Sequence, residues 1–505
     1  MKGNLAERIN LLEVHEEEKK GKNNKPFTFL TTTDSEGVNT RAIPWFNQPG
    51  YDNETSVNSS ANGCKSPKLG INLASKLNDK PQKEKGDPKE FETIGEKIYF
   101  YSGLSDHNAV DELAGYKFIF GKGGNNSNGA TRLETLFFCQ MIFGFSALQQ
   151  SMRFVDASDL FIVKNNKPYK FDKVLSPDII NSDLFDETKE YLHEIGVLYT
   201  QMQKKGKDAV KTEVARMITP LCTPTNIEFN LTTRALKDIA ALVENEYTPK
   251  RIRRRLESML ALAREDSDLL ISDEALEKID SSRPVYPIGN FLETHDYWQP
   301  QIAQKINDVE ILDITENLNL TEELIKAAMN DEQPAFQYLK QFKIQILDEK
   351  NLIVQHQDER QRSKDMSIES IYNATKRGKY DVPSAIKGSK WEKRWHEISQ
   401  KGLSLYARLV ESGVPQEEAL DVIPQNLVIN TVYTLNGWNL IKGAMDKRLC
   451  ENAQPEIRVL YEKIRNIIVK KFPVFKEAIA PPCIKNGCTE KEPCGRYMQV
   501  KEKYN

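Results

Sequence analysis

Four arginines crowd one short stretch of this chain: Arg251, Arg253, Arg254 and Arg255. On a helix such a run reads as a solvated face or as a grip on phosphate, because guanidinium groups donate in a bidentate fork to phosphate oxygens. Residues 121–129, GKGGNNSNG, are rich in turn formers. They lack the GxxxxGK(S/T) spacing of a phosphate-cradling loop, and no GxGxxG opens a helix. Cys483, Cys488 and Cys494 hint at zinc. Three thiols at irregular spacing, with no fourth Cys or His nearby in sequence, make a poor tetrahedral set, so no metal is expected. Cys450, inside RLCENAQ, reads as packing rather than as a nucleophile. No Ser, His and Asp fall at a spacing that supports a triad. What remains is arginine chemistry, a local basic site for a small anion.

The balance of charge agrees with that reading. Seventy Lys and Arg against 73 Asp and Glu leave a net charge of −3 over 505 residues. This excludes a general electrostatic nucleic-acid binder. The first twenty residues show no apolar core ahead of a small-residue cleavage site, so no signal peptide is read. The longest apolar stretch, 136–148, is broken by Gln140 and Gly144. It falls short of the ~20 residues a membrane helix needs. Seven cysteines, an odd and sparse set, read as reduced thiols in a cytoplasm.

The elements that must position any site alternate between strands and helices. Residues 1–90 read as a partly irregular, polar extension with a short strand at 27–32, and a further short strand is expected at 98–101. Residues 133–145 are dense enough in apolar side chains for a buried helix. Residues 160–163 and 169–171 flank KNNKP as a hairpin. Amphipathic helices follow at 186–204, 232–243 and 251–264. SSRPVYPIGN reads as a linker. Strands are expected at 309–314 and 342–347 with a helix at 320–329 between them, and helices dominate from 391 to 475.

The chain also resembles itself. EVARMITP, ending at Pro220, matches EEALDVIP, ending at Pro424, an offset of 204 residues. The same offset pairs Leu231 with Leu435 and Leu236 with Leu440, inside NLTTRAL and TLNGWNL. One residue of drift later, Ile252-Arg253 pairs with Ile457-Arg458. A constant offset over some forty residues predicts a duplicated domain.

The second copy carries VPQEEALDVIPQNLVINTVYTLNGWNLIKGAMDKRLCENAQPEIRVL, ending at Leu460. This string resembles the C-terminal half of the flavin-dependent thymidylate synthases, with Arg448-Leu449, Ala453-Gln454 and Glu456-Ile457-Arg458 in the family's pattern. The tail PPCIKNGCTEKEPCGR resembles the Cys-containing tail of many members. In the first copy, SALQQSMRF resembles the second half of the family signature, which is an Arg-His-Arg, a Ser, then Gln-Gln-Ser-x-Arg-Tyr. The signature departs in both copies. Apolar residues around Met141, Ile142 and Phe143 fill the Arg-His-Arg positions of the first. In the second, IVQHQDERQRSKDMS keeps His356, with Gln355 and Gln357 for the two arginines and the Ser position near Asp365.

The resemblance implies an α/β (α+β) chain of two tandem domains, each a mixed sheet with packed helices. Residues 91–285 form the first, 300–480 the second, and 481–505 the tail. It implies an enzyme that transfers a one-carbon unit to C5 of dUMP, giving dTMP. The cofactor is FAD, with NADPH and 5,10-methylenetetrahydrofolate as co-substrates. Carried over residue by residue, substrate contacts fall on Ser146, Gln150, Ser151, Arg153, Arg216 and Arg448. Ser151 and Arg448 also have catalytic roles, and flavin contacts fall on Arg234, Asn436 and His356. Each copy keeps what the other has lost, so a site assembled from residues of both copies is expected, in a homodimer that mimics the family's tetramer, with the number of sites per chain left open. A C5-hydroxymethylating relative and a non-catalytic nucleotide-binding or assembly protein stay open as alternatives.

Overall fold

A computed structural model describes residues 5–20, 26–35, 37–44, 47–48, 51–52, 90, 92, 114–120, 130–140, 145–149, 174–204, 206, 209–267, 271, 276, 309–360 and 363–504. Two antiparallel sheets organise it. The first contains β1 (Val14–Lys20), β2 (Pro26–Thr33), β3 (Asn39–Pro44), β4 (Gly115–Phe120), β5 (Phe145–Gln149) and β6 (Ile227–Thr232), in spatial order β1-β2-β3-β4-β6-β5. The second contains β7 (Val309–Ile314), β8 (Lys343–Asn351), β9 (Asp365–Ile368) and β10 (Val428–Asn436), in order β7-β8-β10-β9. The second order repeats β3-β4-β6-β5 of the first, so the duplication is one of fold. Residues 1–90 are thus not simply an extension. Strict alternation of buried and half-buried side chains along β3 seats it beside β4 as an integral strand.

The helices repeat as well. In the first copy they are α1 (Arg132–Cys139), α2 (Phe185–Gln203), α3 (Thr233–Ala240) and α4 (Lys250–Asp266). In the second they are α5 (Leu352–Asp358), α6 (Ile371–Arg377), α7 (Glu392–Glu411), α8 (Gly437–Ile441), α9 (Ala444–Arg448) and α10 (Pro455–Lys471). Their caps mark the correspondence. Thr232 accepts a hydrogen bond from Ala235 N at 3.2 Å to start α3, and Asn436 accepts one from Asn439 N at 3.0 Å to start α8. Thr131 and Asn351 cap α1 and α5 in the same way.

The predicted helix at 133–145 stops at Cys139, and Phe145 opens β5. The strand β10 lies where helices were expected to dominate. Its run VINTVYTLN is rich in β-branched residues and occupies the centre of the second sheet. The expected strand at 98–101, the hairpin around KNNKP and the linker SSRPVYPIGN lie outside the described residues.

The two copies meet about a pseudo-dyad. Pro220 and Pro424, repeat partners in sequence, face each other in an antiparallel bridge. On either side, Leu221 N donates to Ile423 O at 2.9 Å and Gln425 N donates to Thr219 O at 3.0 Å. These two bonds are images of one another, as an isologous contact requires. Helices α2 and α7 cross beside the bridge. There the buried Tyr191 hydroxyl, lying against Gly402, donates to Val422 O at 3.1 Å.

Every arginine of the 251–255 run is engaged by protein. Arg255 is buried, paired with Glu134 at 2.7 Å and bonded to Asn39 O and Thr40 Oγ1. Arg251 donates to Val174 O at 2.8 Å, and Arg253 and Arg254 face Glu417 and Asp34. Arg251, Arg254 and Arg255 tie the first copy together and Arg253 faces Glu417 of the second, so the run serves packing between elements rather than a solvated face.

Candidate functional site

Arg216 starts a short 3-10 turn, Arg216–Ile218, one step before the dyad. That position carries its side chain out of the first copy and into the second. It is buried, its Nε donates to Glu213 O at 3.2 Å, and its Nη2 donates to Gln454 Oε1 at 2.8 Å. Gln454 is the fully buried N-cap position of α10. The same Oε1 accepts from Gln357 Nε2, and Gln454 Nε2 donates to Glu456 Oε2 at 3.0 Å. Gln357, on α5, accepts through its backbone oxygen from Arg448 Nη2 at the end of α9. A continuous chain of hydrogen bonds therefore runs from Arg216 of the first copy to Arg448 of the second.

More cations gather around His356, next to Gln357 on α5. Burial, together with Arg132, Arg360 and Arg216, holds its imidazole well below the usual histidine range, so it is neutral near pH 7. Arg132 opens α1 of the first copy and is buried. Burial pushes its guanidinium down to about 10, and the neighbouring Arg360 acts in the same direction. His356 Nε2 and Arg448 Nε are both buried and have no hydrogen-bond partner among the described residues. Such atoms are costly unless something donates to or accepts from them. Two clefts, of about 300 and 360 Å³, adjoin at Pro455, next to Gln454.

Beneath Arg448 lies a buried ionic network. Lys350 bridges Asp348 at 3.1 Å and Asp358 at 2.6 Å, and Lys364 reaches the other Asp358 oxygen at 2.5 Å. Tyr461 donates to Asp358 and Tyr433 to Asp348. Burial would raise the Asp358 carboxyl, but Lys350, Lys364 and Arg448 outweigh it and hold it far below the carboxylate range. Burial leads the causes that push Lys364 down to about 8.

The strand registers realign the signature. Asn230 faces Ser146 across β6 and β5, and Thr434 faces Asp365 across β10 and β9. Asn230 and Thr434 are repeat partners, so Ser146 and Asp365 are partners too. Counting back from them, Met141-Ile142-Phe143 correspond to Arg360-Gln361-Arg362 and not to Gln355-His356-Gln357. The second copy therefore keeps both arginines of the Arg-His-Arg signature and has Gln361 between them. His356 stands four residues ahead of Arg360. Counting forward, Ser151 corresponds to Ser370 and Arg153 to Tyr372.

Of the residues predicted for the site, the structure brings Arg216, His356 and Arg448 together. Ser146 sits exposed on β5, its Oγ accepting from Asn230 Nδ2 at 3.4 Å. Arg234 is half exposed on α3, 4.0 Å from Asp238. Asn436 caps α8. Among the described residues the bonds seen for these two do not reach the cluster. Gln150, Ser151 and Arg153 lie outside the described residues. Arg132 and Arg360 were not singled out from sequence; Gln357 was named only as replacing a signature arginine and Gln454 only as part of the Ala453-Gln454 match. Gln454 and Arg360 stood inside the quoted strings, and a register for the signature would have found them. Arg132 carried no motif. Among the described residues no group of three or more His, Cys, Asp or Glu side chains is placed to hold a metal ion. No described helix is long and apolar enough to cross a membrane.

Fold and site together define a class: a duplicated α/β chain, each copy an antiparallel sheet with packed helices, that gathers arginines from both copies at their seam. Residues 142–266 and 298–474, more than half of the sequence, match the family described as thymidylate synthase complementing protein, and the chain belongs to that family. The chain is similar to a flavin-dependent thymidylate synthase of Pyrococcus furiosus, 33% identical over 132 residues that cover 24% of this chain and 53% of the relative. A flavin-dependent thymidylate synthase of Geobacter sulfurreducens is 31% identical over 122 residues, covering 24% and 52%. One of Saccharolobus solfataricus is 38% identical over 104 residues, covering 20% and 38%. The chain thus spans about half, or less, of the length of the curated relatives it matches.

Proposed function

We propose that the chain is a flavin-dependent thymidylate synthase, acting in a cytoplasm as a homodimer that presents four domain copies. It moves a one-carbon unit from 5,10-methylenetetrahydrofolate to C5 of dUMP. Atoms balance when the methylene carbon bonds to C5 while its two bonds to the folate nitrogens break and release tetrahydrofolate, the C5 proton leaves, and a hydride completes the methyl group of dTMP. That hydride comes from reduced FAD, which NADPH regenerates.

The observation that carries this reading is the hydrogen-bonded chain from Arg216 through Gln454 and Gln357 to Arg448. A nucleotide monophosphate brings about two negative charges, and paired guanidinium forks answer them. C5 becomes nucleophilic only when charge on the pyrimidine oxygens is stabilised, and a fixed cation in a water-poor site is worth several kcal/mol there. Arg216 and Arg360 suit the phosphate, and Arg448, fixed through Gln357, suits the ring. The buried Nε2 of His356 and Nε of Arg448, ringed by cations, fit a phosphate-bearing cofactor such as FAD. Gln361, in the central place of the signature, keeps a hydroxymethyl product as the second reading.

The test is direct. The purified chain is expected to carry FAD and to form dTMP from dUMP with methylenetetrahydrofolate and NADPH, and Arg216→Gln is expected to lower kcat/KM at least about 100-fold, the loss of one charge-assisted contact in a dry site. A colourless chain that takes up no FAD refutes the proposal. Hydroxymethyl-dUMP as product selects the second reading.

A further inference from the structure

A two-fold operation makes two images of every seam feature, so the cluster around Arg216 has a counterpart across the Pro220–Pro424 axis. Repeat registers and helix caps identify its residues. Arg216 maps to Leu420, since each opens the 3-10 turn before the dyad proline. Arg132 maps to Leu352, and His356 and Gln357 map to Leu136 and Phe137, since Thr131 and Asn351 cap matching helices. The two backbones confirm the match, with Arg132 N donating to Thr223 O and Leu352 N to Leu427 O. Gln454 maps to Pro249, the residue that caps α4. Arg448 maps to Val243, or without the one-residue drift to Glu244, whose carboxylate Arg8 takes.

The mirror positions are hydrocarbon. Leu136, Phe137, Leu352 and Leu420 are 2%, 1%, 2% and 0% exposed, which leaves no aqueous cavity among them. All four belong with Val243 to one continuous apolar core that spans both copies. Tyr372, at the position matching Arg153, also joins that core and spends its hydroxyl on Tyr247 O at 2.6 Å. A phosphate placed among these side chains would have to be desolvated against leucine and phenylalanine.

We infer that each chain holds one nucleotide site: the first copy supplies Arg132 and Arg216, the second supplies Gln357, Arg360, Arg448 and Gln454, and the symmetry-related site has been converted into core. This rests on the nucleotide reading above and adds to it a stoichiometry and a division of labour. The copies are no longer interchangeable. Neither contains a site alone, and the filled mirror position exchanges a binding function for apolar burial.

Calorimetric titration of the full chain with dUMP as the probe tests it. One dUMP per chain is expected, with binding lost in Arg216→Gln and in Arg360→Gln. Arg360 is exposed, so its replacement keeps the test sound if the buried Arg216 variant misfolds. Gln140→Ala, beside Met141, the position that matches Arg360, is expected to leave one dUMP bound. Two dUMP per chain would overturn this inference and leave the proposed function standing. A single site that survives Arg216→Gln and Arg360→Gln would also overturn it, because the occupied site would lie elsewhere. No binding at all would overturn both.

Discussion

Asp421 is a buried carboxyl on the opposite side of the seam from the arginine cluster. Its Oδ2 accepts from Ser176 N at 2.7 Å, and Arg251, Glu418 and Glu134 lie around it. Burial raises its pKa to about 7, with Glu418 adding and Arg251 opposing. The folded chain therefore binds a proton that the unfolded chain has released, from the ordinary carboxylate pKa near 3.8 up to about 7. Stability from this group is present below that window and falls as pH rises through it, by up to about 4 kcal/mol over three units. Asp421→Asn keeps an acceptor for Ser176 and removes the titration. Its urea midpoint is expected to be higher than wild type at pH 8 and close to it at pH 4.5. An unchanged pH dependence would show that Asp421 is ionised in the fold. Single residues differ in how far sequence reveals them. Arg216 and Arg448 sat on motif strings. Arg132 sat before an apolar helix with nothing to mark it, because its meaning comes from the other copy. Arg255 looked like part of a charged surface, and only the tertiary position of Glu134, over a hundred residues away, makes it an internal tie.

Among the elements, α5 ties site and scaffold together. One face presents His356 and Gln357 to the cluster, and Asp358 anchors the helix to β8 through Lys350. The carboxylate answers two buried lysines at once, with Tyr461 as a further donor. Asp358→Asn leaves Lys364 in a dry interior facing an amide and leaves Lys350 with Asp348 alone. Breaking a buried pair in this way costs about 3–5 kcal/mol. The variant is expected to unfold at clearly lower denaturant and to bind dUMP weakly, because α5 carries Gln357. Wild-type stability would show that water enters the network. The elements themselves were partly legible. Helices α2, α3 and α4 followed from apolar spacing. The 133–145 segment was read as one helix because helix α1 and strand β5 are both apolar, and period cannot separate two buried elements of different type. Strand β10 was lost among flanking helices, although VINTVYTLN has the composition of a central strand. Strand β3, short and set in a polar stretch, is held by pairing to β4 and by Arg255, neither of which leaves a local signal.

At the scale of the whole molecule, the duplication was visible as an offset, but not the way the copies join. An offset says that two segments are alike; that Pro220 lies against Pro424 says that they face each other about an axis. From that axis follow the composite cluster and its silenced image. The seam depends on helices α2 and α7 approaching closely where Gly402 has no side chain. A Cβ on Gly402 would lie 2.2 Å from the Tyr191 hydroxyl oxygen and 3.1 Å from Pro424 Cδ. Tyr191 is fully buried and bonded to Val422 O, so it has nowhere to retreat without giving up that bond. Gly402→Ala should improve helix propensity by up to about 1 kcal/mol. Overpacking of a tight contact costs about 1–3 kcal/mol, and the lost hydrogen bond adds about 1. The net expectation is destabilisation, larger than that of Tyr191→Phe, which removes only the hydroxyl. Because Leu420 to Pro424 sit on the same seam, the variant is also expected to weaken dUMP binding with every site residue intact. Urea unfolding and dUMP titration of the two variants decide the matter: a Gly402→Ala chain as stable as wild type would mean that the copies do not meet across these helices.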